Sequence, residues 1–120
     1  MGEAAAALKA KDISPVELTQ ACLDRANAIQ NKVNPFVVII ADRAMDAARR
    51  AESEIMAGDY RGPMHGIPVV VKDLCDIAGL PTTASSDVRF DHGATENAAC
   101  VDRLNDAGAV IMAKTHTHEF

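Results

Sequence analysis

Gly62-Pro63-Met64-His65-Gly66-Ile67-Pro68-Val69-Val70-Val71-Lys72-Asp73 carries a turn, a strand and a charge in one short stretch. Gly and Pro set a tight turn. Val69, Val70 and Val71 form an unbroken β-branched run, which reads as a strand apolar on both faces and therefore internal to a sheet. The run ends on Lys72. A long cation there must find a partner or give up its proton, and a lysine that can give up its proton is a candidate base.

Elements on either side alternate. Ser14-Pro15-Val16-Glu17 is a capping box with Pro at the first helical position. It predicts a helix over about residues 15–30, preceded by a shorter Ala-rich helix over 4–11. Residues 36–40 read as a buried strand, 42–57 as a helix with a charged face closed by Gly58, and 67–71 as a strand. A long loop over 73–92 follows. Thr95 is placed to cap a helix over 96–106, and 109–113 reads as the last strand. Alternation at this spacing implies right-handed crossovers and a largely parallel sheet with helices on its faces. Three strands leave an open edge, so residues 1–120 read as part of a larger domain.

Composition narrows the class. The chain has 120 residues, 48% hydrophobic and 24% charged, which fits a folded globular segment. Aromatic residues are only 3%, so Ala, Val, Ile, Leu and Met must build the core. The net charge of -5 and the lack of a basic stripe argue against nucleic acid as a partner. No apolar run approaches a membrane span, and the N-terminus has neither a signal-peptide pattern nor a myristoylation site. Cys22, Cys75 and Cys100 are odd in number and form no C-x-x-C, which points to a reducing, cytoplasmic setting. Cys22 and Cys100 fall in helical patterns as small core residues. Cys75 lies in the loop near Lys72, as a thiol to be weighed as a nucleophile but more simply read as incidental.

The stretch 62–73 closely resembles the first conserved block of the amidase signature family, serine hydrolases of amides with a Ser-Ser-Lys triad. Met64 stands where the family usually has Leu, a volume-conserving change. Asp76, Gly79, Thr82 and Thr83 resemble the family's next loop. Glu96-Asn97-Ala98, Leu104, Ala107-Gly108-Ala109 and Lys114-Thr115 resemble the following helix and strand, and Ile13–Leu18 the usual N-terminal helix start. Ala84-Ser85-Ser86 departs from the common Ala-Gly-Ser, which alters the local turn.

The resemblance implies a mixed, largely parallel α/β sheet covered by helices on both faces and incomplete in this chain. It implies that residues 1–120 are the N-terminal segment of a single larger amidase domain. It implies that Lys72 is the catalytic base, acting through a serine held by a cis peptide bond, with a small-molecule amide as substrate and no cofactor or metal. The family's Gly/Ser-rich motif, which carries both serines, does not occur here. The remainder of the domain is therefore required, and the chain alone should be inactive. Substrate-binding residues are not identifiable, and a homodimer stays open. A close variant is the amidase subunit of a tRNA-dependent amidotransferase; a different class is a truncated, non-catalytic interaction module.

Blander readings stand beside these. Lys72 could pair with Asp73 or Asp76 at the sheet rim. Thr82, Thr83, Ser85 and Ser86 more commonly satisfy their own backbone than serve a site. A Ser85 or Ser86 nucleophile paired with Lys72 is the weaker alternative. His116 and His118 share a face if the last strand continues, and with Glu119 they suggest a metal site, but two histidines without a third placed ligand are a weak signal.

Overall fold

The computed structural model describes residues 1–89, 91 and 93–118. Its elements run α1 (Gly2–Ala10), α2 (Pro15–Val33), β1 (Phe36–Ile39), α3 (Ala41–Ala57), β2 (Pro68–Lys72), α4 (Ala99–Asp106) and β3 (Val110–Thr115), with a short 3-10 turn at Asp87–Arg89. The capping box forms as its sequence implies. The Glu17 amide donates to Ser14 Oγ at 3.0 Å and the Ser14 amide to Glu17 Oε2 at 3.1 Å. No described helix is long and apolar enough to cross a membrane.

The sheet is mixed, in the order β1-β3-β2, with β2 parallel and β1 antiparallel to β3. This corrects the expectation that Val69–Val71 is the central strand. β3 takes the centre, and β2 is an edge with Val70 45% exposed. Both strands are unbroken apolar runs. Burial follows from having neighbours on both sides, which the run itself does not encode. For the same reason β1 is half-buried rather than buried.

Helices cover both faces. On one, Leu23 and Ala26 of α2 and Ala44 and Ala48 of α3 pack on Val110 and Met112. On the other, Val101 of α4 and Ile77 of the loop pack on Val71 and Ile111. Helix α4 starts at Ala99, with Ala98 and not Thr95 at its N-cap. The preceding residues are held by the earlier loop instead. The Ala94 amide donates to Leu80 O at 3.0 Å, the Ala98 amide to Asp76 O at 2.9 Å, and the Ala78 amide to Asn97 Oδ1 at 2.8 Å.

His65 pins the entry to β2. It is fully buried. The Arg61 amide donates to its Nδ1 at 3.1 Å, so the ring proton sits on Nε2, which faces Glu54 Oε2 at 2.8 Å. The Arg61 guanidinium closes the same carboxylate at 2.6 Å. The turn before β3 packs flat on this ring. Gly108 has φ +76°, and a Cβ there would lie 2.4 Å from His65 Cδ2. The Gly66 amide donates to the Gly108 carbonyl at 2.8 Å, tying the two loops directly.

Gly108→Ala therefore adds a left-handed backbone penalty to a clash with a ring that has no free space. A loss of about 2–4 kcal/mol is expected in urea unfolding. Wild-type stability in this variant would show that the ring does not pin the turn.

Candidate active site

Lys72 is the last residue of β2, and its ladder partner is Thr115 of β3. The chain then turns at once. The Asp73 amide donates to Thr115 O at 2.9 Å, and the Cys75 amide donates back to Lys72 O at 3.0 Å. The lysine backbone is thus held by the central strand and by its own turn. Its side chain is exposed and makes no hydrogen bond or ion pair with any described residue.

The neighbouring acid is occupied elsewhere. Asp73 and Lys114 are both fully buried, with Asp73 Oδ1 2.7 Å from Lys114 Nζ. The Lys114 ammonium also donates to Pro81 O at 2.7 Å and Thr82 Oγ1 at 2.8 Å. The ammonium thus makes two hydrogen bonds to the loop and a close ion pair with the Asp73 carboxylate. The second carboxylate oxygen, Oδ2, accepts from the Thr83 amide at 3.0 Å and from the Thr83 hydroxyl at 2.5 Å. Burial alone would push the Asp73 carboxyl up. The bonds from Lys114 and Thr83, with the ammonium charge, outweigh it and hold the group below its ordinary 3.8.

This network ties three pieces of backbone together: the end of β2, the end of β3 and the Pro81–Ala84 loop. The Ala84 amide completes the clamp by donating to Asp73 O at 3.0 Å. Thr82 and Thr83 therefore serve the buried pair and do not simply satisfy local backbone. Ala84 and Ser85 both take positive φ, 53° and 55°, at the place where the Ala-Ser-Ser departure occurs. Ser85 Oγ accepts from the Thr117 amide at 3.0 Å and lies 3.3 Å from His116 Nδ1. Ser85 is thus engaged with the chain beyond β3 and not with Lys72.

Lys114, quoted above only as part of the resemblance, is the buried structural cation whose role reading the sequence did not assign. Its signal was present, since it ends the apolar run Val110–Ala113 just as Lys72 ends Val69–Val71. The last strand runs two residues beyond the expected 113, and that extension puts Lys114 inside the sheet. His116 and His118 lie past the strand end and are both exposed. Glu119 lies outside the described residues. Cys100 is exposed on α4 and not in the core, while Cys22 is half-buried beside the α2–α3 core. A depression of about 610 Å³ opens between α3 and α4 over Ile111 and Val101, and Lys72 does not line it.

Comparison with known proteins places this geometry. The chain is 46% identical over 120 residues to an amidase of Pseudomonas putida, covering all of this chain and 25% of that protein. It is 42% identical over 117 residues to the glutamyl-tRNA(Gln) amidotransferase A-subunit of Chloroflexus aurantiacus, covering 98% of this chain and 24% of that protein. The native peptide amidase of Stenotrophomonas maltophilia superposes with a TM-score of 0.90 at 32% identity, over 98% of this chain and 24% of that one. The chain thus spans about a quarter of the length of the relatives it matches. Residues 17–120 match the amidase family model, and with the Lys72 block and the shared α/β fold this makes the chain a member of the amidase signature family.

Proposed function

We propose that this chain is the lysine-bearing segment of an amide hydrolase, with Lys72 as its general base. The observation that carries the reading is the contrast between two lysines. Each ends an apolar strand. Lys114 is buried, bonded to the loop and ion-paired with Asp73, while Lys72 is exposed on the edge strand with no partner among the described residues and the acid beside it belongs to Lys114. The rim salt bridge that would otherwise explain Lys72 is absent among the described residues. Exposed Val70 and Leu74 flank it, at 45% and 51%, and the rest of the amidase domain would cover them. That covering would also take the Lys72 side chain out of bulk water.

In this reading the remaining domain supplies two serines. One attacks the amide carbonyl carbon. The other passes that nucleophile's proton to Lys72 and returns it to the leaving nitrogen, so the lysine ends the cycle as it began. Residues 1–120 would belong to one larger amidase domain, and the segment alone would lack a nucleophile. The likeness to an amidotransferase component supports a second reading of the same site, in which partner proteins receive the ammonia. Free ammonia from simple amides without any such partner favours the first reading. Turnover that appears only when the partners are present favours the second.

In the enzyme that carries both this segment and the serines, Lys72→Ala should lower kcat by roughly 10²–10⁴ with KM little changed. Lys72→Arg should fail nearly as badly, because a guanidinium keeps its proton near neutrality. Steady-state kinetics of both variants decide it, and near-wild-type turnover in Lys72→Ala would return Lys72 to a surface role.

The buried pair makes a separate prediction. Lys114→Met leaves the Asp73 charge buried without its counter-ion and should cost about 3–5 kcal/mol in denaturant unfolding. Because the folded-state value of Asp73 is depressed, its contribution is present above 3.8 and is lost as pH falls through the folded value. The gap between wild type and Lys114→Met should therefore narrow as pH drops below about 3.8. A gap unchanged with pH would show that Asp73 is not the group Lys114 stabilises.

A further inference from the structure

Cys75 and Cys100 come together from different elements. Cys75 sits in the turn after Lys72, and Cys100 in the first turn of α4. The Cys100 thiol donates to Cys75 Sγ across 3.7 Å. A disulfide needs the sulfurs at about 2.05 Å, so the bond requires a contraction that side-chain rotation in a surface turn can supply. The backbone around them is already tethered in the right relation. The Ala98 amide donates to Asp76 O at 2.9 Å and the Ala78 amide to Asn97 Oδ1 at 2.8 Å, so neither segment must travel to meet the other.

We propose that Cys75 and Cys100 form a reversible intramolecular disulfide, an oxidant-responsive staple between the Lys72 turn and α4. The two thiols differ in the way a sequential oxidation needs. Cys100 is exposed and meets a peroxide first. Its thiol and one hydrogen peroxide give a sulfenic acid and one water. The Cys75 sulfur then attacks the Cys100 sulfur, forming the S–S bond and releasing the sulfenic oxygen as a second water. Two thiols and one peroxide yield one disulfide and two waters, and a dithiol reductant reverses the step. Cys75 is half-buried, and burial followed by the adjacent Cys100 thiol raises its proton affinity. It therefore resists direct oxidation and serves as the resolving thiol.

The staple bears on Lys72 through one hydrogen bond, from the Cys75 amide to the Lys72 carbonyl at 3.0 Å. It does not depend on Lys72 being a base. Cys22 is an internal control, since it packs on a different core, beside α2 and α3.

The test is titration of the protein with hydrogen peroxide, followed by intact mass, thiol counting and non-reducing peptide mapping. The expected result is a chain that loses two hydrogens and two free thiols, with no crosslink between chains. A single linked peptide should join Cys75 to Cys100, and dithiothreitol should restore both thiols. Cys100→Ser should keep Cys22 and Cys75 as free thiols at the same peroxide dose, and Cys75→Ser should stop at a Cys100 sulfenic acid trapped by dimedone. Cys75 and Cys100 both remaining free in the wild type, a bridge that includes Cys22, or a covalent dimer through Cys100 would each overturn the proposal. The readout uses no amide substrate, so it fails or succeeds separately from the reading of Lys72 as the base.

Discussion

The buried pair between Lys114 and Asp73 is the constraint on which the site end of this molecule depends. Two full charges lie out of water, which is tolerable only because each is met by close and well-aligned partners. Those partners are the Pro81 carbonyl, the Thr82 hydroxyl and the Thr83 hydroxyl and amide. To keep them, the loop that leaves β2 must return over the end of β3. The clamp thereby sets where the strand ends, where the turn begins and where Lys72 stands.

A second, independent pin sits at the other end of β2. The buried His65 ring, held in one tautomer by the Arg61 amide and Glu54, fills the space that Gly108 leaves open. Between the two pins β2 has little freedom, although it is an edge strand. On the proposed reading of Lys72 as the base that matters, because a group fixed at a strand terminus is positioned better than one on a free loop.

Much of the fold was legible. The capping box at Ser14, the helical period of α3 with Gly58 after it, and the three apolar runs are local signals, written in side-chain chemistry over a few residues. So was the block around Lys72, whose turn and strand are contiguous in sequence. Other features were not. Thr95 has the chemistry of an N-cap, yet the helix starts later because the segment before it is bonded to the 76–80 loop, a contact across the fold. Cys100 matched a core position by period but lies exposed, because the face of α4 that meets the sheet carries Val101 instead.

The sequence by itself determined the elements, the membership in an amide-hydrolysing family and the lysine to watch. The tertiary structure alone decided which strand is central and which lysine is spent on structure. Lys72 and Lys114 read alike, each an ammonium closing a run of apolar residues. What separates them is lateral pairing. β3 has strands on both sides, so its lysine is enclosed and must be neutralised by Asp73. Among the described residues β2 has one neighbour, and its lysine stands exposed at the rim without a partner. Strand order is set by long-range packing of faces and edges, and no local run of residues specifies it.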